Sequence, residues 1–190
     1  MRKLISDKKL SLSFHLALNK ILFCFAALLF SSAISAQNSS PLEVSQLINE
    51  YRAPMEKVII QDFMDLLSLP NIPDNQADMD INVDHITTLL EARGFTTQRL
   101  QAGGSPYIYA ELMQAEASET LLLYAHYDGQ PVQVENWAYP PFSPTLLDAT
   151  LQAGGQPVDV EALTGSFDPE WRLYGRSAGD DKMPIIALIH

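Results

Sequence analysis

The sequence predicts an α/β fold, a mixed sheet flanked by helices. Three observations carry this. Two amphipathic helical stretches open the globular part, a group of strand-like runs follows, and the last strand runs directly into an apolar helix start. With 190 residues the chain is long enough for one domain with a real core.

Residues 1–36 stand apart from that fold. Arg2, Lys3, Lys8, Lys9 and Lys20 form a basic head, Ile21–Phe30 is apolar throughout, and Ser31–Ala36 is mostly small. This three-part order is that of a secretory signal peptide, and ten apolar residues are too few for a membrane span, which needs about 20. Cleavage after Ala36 would leave residues 37–190 as the exported chain, periplasmic or extracellular in a bacterium. Cys24 is the sole cysteine and lies in the leader, so the mature chain has neither disulfides nor thiolate ligands. Phe23 before it is too large for a lipoprotein signal.

Five of the 12 Lys and Arg leave with the leader, and one of the 23 acidic residues, so the remainder carries a formal charge of −15. Such a surface argues against nucleic acid and, once the leader is gone, against anionic membranes as partners.

In the first helical stretch, from Ser40 to Pro70, Ser40 can cap and Pro41 fits the first turn. Leu47, Ile48, Tyr51, Met55, Val58, Ile59, Phe63 and Leu66/Leu67 recur at helical spacing. NIPDNQADM reads as loop. DINVDHITTLLEARGF reads as a second helix with Ile81, Ile86, Leu89 and Leu90 on one face, His85 half-exposed and Gly94 closing it. FTTQRLQ, PYIYAELM, ETLLLYAHYD and WRLYG read as strands. LLLYA, apolar at successive positions, reads as a central strand covered on both faces. Glu135–Glu170 is loop-like, and MPIIALIH starts a helix.

The chemistry gathers at two strand ends. In extended backbone His126 and Asp128 point the same way, at the carboxyl end where α/β sheets bind ligands. A neutral imidazole is a metal ligand, and a nearby carboxylate can hold its other N–H. Taken alone, H-x-D is more often a solvated strand end. The second cluster, YGRSAGDDKMP, sets Asp180 and Asp181 before a helix start, where one can cap and the other is free for a metal.

HYDGQP, WAYPPF and YGRSAGDDKM, in this order, resemble the M20 family of metallopeptidases, the group of carnosine dipeptidases, glutamate carboxypeptidases and acyl-amino-acid deacylases; LLSLPNIP resembles the exit of that family's first helix. The resemblance spans most of residues 42–190. It implies the front part of a zinc-peptidase catalytic domain of phosphorylase/hydrolase-like fold. His126 would ligate one zinc, Asp128 would serve catalysis by orienting that histidine, and Asp180 would bridge two zinc ions, with manganese or cobalt as substitutes. Asp181 and Lys182 would shape the turn, and Gly175 and Arg176 would be architectural. The implied substrate is a small peptide or acyl-amino acid, cut by a metal-activated water, and the complete protein would have scope to form a homodimer.

The chain departs from the family pattern at Ser177 and Met183, where the family has glycine. Ser177 fits if its backbone angle is ordinary. Leu147–Pro169 reads as an inserted surface excursion. The family's general-base glutamate and its remaining ligands are expected beyond residue 190, and His190 comes too early to be its final histidine. The chain therefore reads as the front of a longer enzyme, inactive by itself. The alternative is a non-catalytic metal-binding or interaction protein that keeps the front half of the fold.

Overall fold

The computed structural model describes residues 40–190. The expected leader, residues 1–36, and Cys24 within it lie outside these residues. Contacts divide the chain at Ser45/Gln46, and Gln46–His190 forms one compact unit. In the other unit the described residues begin a helix. There the Ser40 N–H donates to the Glu43 carboxylate (2.6 Å) and the Glu43 N–H to Ser40 Oγ (3.3 Å), a reciprocal capping box.

Helix α1 runs Pro41–Ser68 and α2 runs Gln76–Glu91. α2 starts earlier than its apolar pattern suggests, because the Asn75 side chain accepts from the Ala77 and Asp78 N–H groups. It ends at Gly94, whose φ is +86°. Phe95 N–H donates to Leu90 O and Gly94 N–H to Glu91 O, the paired bonds of a Schellman close. Ile81 is exposed, contrary to its expected face; Ile86 is buried as expected, and Met79 and Val83 are buried with it. In α1 only Phe63, Leu66 and Leu67 are buried, while Leu47, Ile48, Tyr51 and Val58 are exposed. The regular spacing made one face but did not say how much of it finds a partner.

Strands β1 (Thr96–Leu100) and β2 (Tyr107–Glu111) pair antiparallel from Thr96↔Glu111 to Leu100↔Tyr107. The chain reverses between them through Gly103 and Gly104, both at positive φ. β3 (Thr145–Leu147) pairs antiparallel with β4 (Arg172–Tyr174). Helix α3 is Met183–Ile189. The core forms where Phe63, Leu66 and Leu67 of α1 meet Ile86 of α2 and Ile185, Ile186 and Ile189 of α3.

Two expectations are corrected. Leu121–Ala125 is neither in a sheet nor buried: Leu121, Leu122 and Tyr124 are 82%, 88% and 83% exposed. Strand identity needs a hydrogen-bonded neighbour as well as apolar residues, and no described strand pairs with this run. Second, the excursion after β3 is a folded arm. It buries Leu147 and Val160, and Val158 N–H donates to Leu146 O. Lys57 Nζ on α1 donates to Glu161 O (2.7 Å). No described helix is long and apolar enough to cross a membrane.

Candidate metal centre

His126 sits at the end of the extended Leu121–Ala125 run, on a segment held between the exit of α1 and the turn Ala178–Lys182. Its Nδ1 lies 3.1 Å from Asp128 Oδ1 and 3.2 Å from the Asp128 carbonyl oxygen. Both are acceptors, so Nδ1 carries the proton and donates. Nε2 then presents its lone pair to Asp180 Oδ1 at 2.9 Å. A lone pair facing a carboxylate oxygen calls for a cation between them, either a proton or a metal. Burial draws the His126 pKa down, but the Asp128 carbonyl, the Asp180 carboxylate and the charge of Asp128 outweigh it, and the net shift is upward.

Asp180 and Asp181 have φ/ψ of −140°/89° and −134°/23°, outside the helical region, and the peptide between them is cis. Both carboxylates turn toward the His126 segment. Asp181 Oδ2 accepts from the His126 N–H (3.1 Å), while the Asp180 side chain is 90% exposed. The expectation that one of the pair caps the following helix does not hold, since α3 has no side-chain cap.

Lys182 is fully buried, and its Nζ donates to the carbonyls of Leu66 and Leu69 at 2.8 Å each. It thus closes the carboxyl end of α1, where the helix dipole favours a cation. Burial pulls its pKa down to about 7. Arg176 N–H donates to Pro141 O (2.6 Å), which joins the WAYPPF segment to the turn. Ser177 stands at φ 63°, ψ 16°, a left-handed conformation. Its backbone angle is not ordinary, and a glycine would hold it without steric cost.

Sequence reasoning missed Asn71, which is fully buried. Its Nδ2 donates to Tyr127 O (2.7 Å) and Ser177 Oγ (3.0 Å), and its carbonyl accepts from the Gly129 N–H (2.8 Å). The only signal was its place in LLSLPNIP, at the exit of α1. A groove of about 590 Å³ opens beside the imidazole, between Tyr107 and Ile108 of β2, Leu123–Asp128, and Ile185 and Leu188 of α3.

No family model matches the chain. A solved structure of the di-peptidase Dug1p from Saccharomyces cerevisiae superposes with TM-score 0.54 at 19% identity, over 72% of this chain and 28% of that one. The fold matches that of the corresponding part of this di-peptidase. The M20 family metallo-carboxypeptidase Sso-CP2 from Sulfolobus solfataricus superposes with TM-score 0.47 at 25% identity, over 69% and 25% of the two chains. The chain spans about a quarter of the length of these peptidases.

Two ligands of a tetrahedral zinc, each about 2.0–2.2 Å from it, lie roughly 3.3–3.6 Å apart; Nε2 and Oδ1, in hydrogen-bond contact at 2.9 Å, would part by about half an ångström to share one. The imidazole is also fixed through its second nitrogen, as zinc-bound histidines are. His126 and Asp180 fit as two ligands. Among the described residues no group of three His, Cys, Asp or Glu side chains gathers around one point.

Proposed function

We propose that the chain is the amino-terminal part of an exported, zinc-dependent peptidase that hydrolyses peptide or acyl-amide bonds. The observation that carries this reading is the His126 ring, held by Asp128 at Nδ1 with Nε2 aimed at Asp180. His126 and Asp180 would hold the metal, with Asp180 bridging two ions; manganese and cobalt suit the same donors. Such an ion supplies Lewis acidity toward a carbonyl oxygen and acidifies water.

The chain's own residues supply orientation. Asp128 fixes the imidazole tautomer, and Asp181 holds the His126 backbone through its N–H. The neighbouring groove is within the size range of small-molecule sites. Its lining is mostly apolar and includes the imidazole, which suits a short peptide or acyl-amino acid. The fold likeness to a di-peptidase supports the same substrate class.

The test compares zinc content and dipeptide turnover in the natural gene product and its variants. His126→Ala should lose most bound zinc and turnover. Asp128→Asn should keep most of the metal but lose about 10- to 100-fold in turnover, as expected when the partner that orients a ligand is changed. Wild-type metal content in His126→Ala would refute the ligand assignment. Zinc binding without turnover on any dipeptide or acyl-amino acid would favour the non-catalytic reading. Export is tested separately: the intact mass of the exported protein should place its first residue at Gln37, and retention of Met1 would refute the leader.

A further inference from the structure

Asn71 is built into the contact between three separate stretches of chain. Its side-chain amide spans Tyr127 O and Ser177 Oγ, and its own carbonyl takes the Gly129 N–H. The bonds to Tyr127 and Gly129 straddle Asp128, the residue that fixes the imidazole. The bond to Ser177 reaches the first residue of the turn that presents Asp180 and Asp181. Ser177 O in turn accepts from Lys182 N–H (3.1 Å), closing that turn. Asn71 is itself held, because the carbonyl of Pro70 before it accepts from Asn82 Nδ2 (2.7 Å), and Asn82 is fully buried.

The packing around this amide leaves no slack. A Cβ placed on Gly129 would come within 2.6 Å of Ser177 Oγ and 2.9 Å of both Asn71 amide atoms. Asn71 Oδ1 is buried without a partner among the described residues, so among them the amide keeps its place at the cost of one unmade hydrogen bond. Ser177 likewise holds a left-handed backbone that a glycine would adopt freely. Two locally unfavourable features meet at one hydrogen bond, and that bond joins the His126–Asp128 segment to the Asp180 turn.

We propose that Asn71 and Ser177 form a latch that sets the spacing of His126 and Asp180, with Asn71 acting as a positioning residue. This rests on the reading of His126 and Asp180 as metal ligands. The latch touches neither Nε2 nor Asp180. It acts by fixing the backbone on either side of them.

The experiment uses the natural gene product with Zn²⁺ as the probe. Zinc affinity is measured by calorimetric titration, and the His126 ring ¹⁵N shifts are recorded in the metal-free protein. Asn71→Ala should weaken zinc binding about 10- to 100-fold and move the ring shifts toward averaged tautomers. Asn71→Asp keeps the size of the side chain but cannot donate, so it should do the same, and it decides the matter if the alanine variant fails to fold. Ser177→Gly removes the unfavourable backbone angle, so it should leave thermal stability unchanged or higher while still weakening zinc binding. A purely structural role could not separate those two readouts. Combining Asn71→Ala with Ser177→Gly should add little to the larger single effect. Unchanged zinc affinity and ring shifts in folded Asn71→Asp would overturn the latch. Wild-type affinity in His126→Ala would instead overturn the ligand reading, and the ring shifts alone would then decide the latch.

Discussion

Lys182→Ala should destabilise the chain by about 3–5 kcal/mol, and Lys182→Met by only about 1–3 kcal/mol. Lys182 is among the largest fully buried side chains, and its Nζ donates to Leu66 O and Leu69 O. Alanine removes both donors and opens a cavity where the end of α1 meets the turn. Methionine fills the space and removes only the donors. Leu66 O still receives the Leu69 N–H at 3.3 Å, so Leu69 O is the group left orphaned. Part of that loss is offset, because methionine no longer buries a charge. Near neutrality the offset is modest, since burial has already brought the lysine pKa to about 7. Urea unfolding of both variants checks this: equal losses would show that the two donated hydrogen bonds alone account for the residue, and no loss in Lys182→Met would show that packing alone does.

Gly129→Ala should cost about 2–3 kcal/mol, the usual scale for forcing a methyl group into a packed site. Gly129 is needed for its missing side chain, since the clash is with Ser177 Oγ and the Asn71 amide. Ser177→Gly removes the nearer of these atoms, so the double variant should regain part of the loss. Thermal denaturation of the two single variants and the double variant measures it. Wild-type stability in Gly129→Ala would mean that the His126 segment stands further from the turn than described.

The helices were legible because their signals are local: the cap at Ser40, the apolar spacing through Phe63 and Leu67, and the Schellman close at Gly94. β1, β2 and β4 were legible for the same reason. His126, Asp128 and Asp180 were readable as a group only because several short motifs occur in a family's order. The structure then brings all three together, 54 residues apart in sequence between His126 and Asp180. What was not legible depends on partners distant in sequence. The apolar run at Leu121 looks the same whether or not a strand lies beside it. The three-residue β3 exists only through β4, and nothing in Asn71 itself announces that it will meet Tyr127 and Ser177. Whether Ser177 has an ordinary angle was not legible either, because a backbone angle is set by the whole turn and not by one side chain.

The bonds that close the carboxyl end of α1 also bear on the order of folding. Lys182 reaches back 116 residues to Leu66 and 113 to Leu69, and Ser177 lies 106 residues from Asn71. Contacts of such sequence separation form late, because a long loop must close before any bond rewards it. At a synthesis rate of about 5–20 residues per second, roughly 5–20 s separate the emergence of Asn71 from that of Ser177 and Lys182. Throughout that interval α1 has an open carboxyl end and the His126 segment has no turn to rest against. The last residues of the described chain therefore set the moment at which the first helix and the His126 segment acquire their final arrangement.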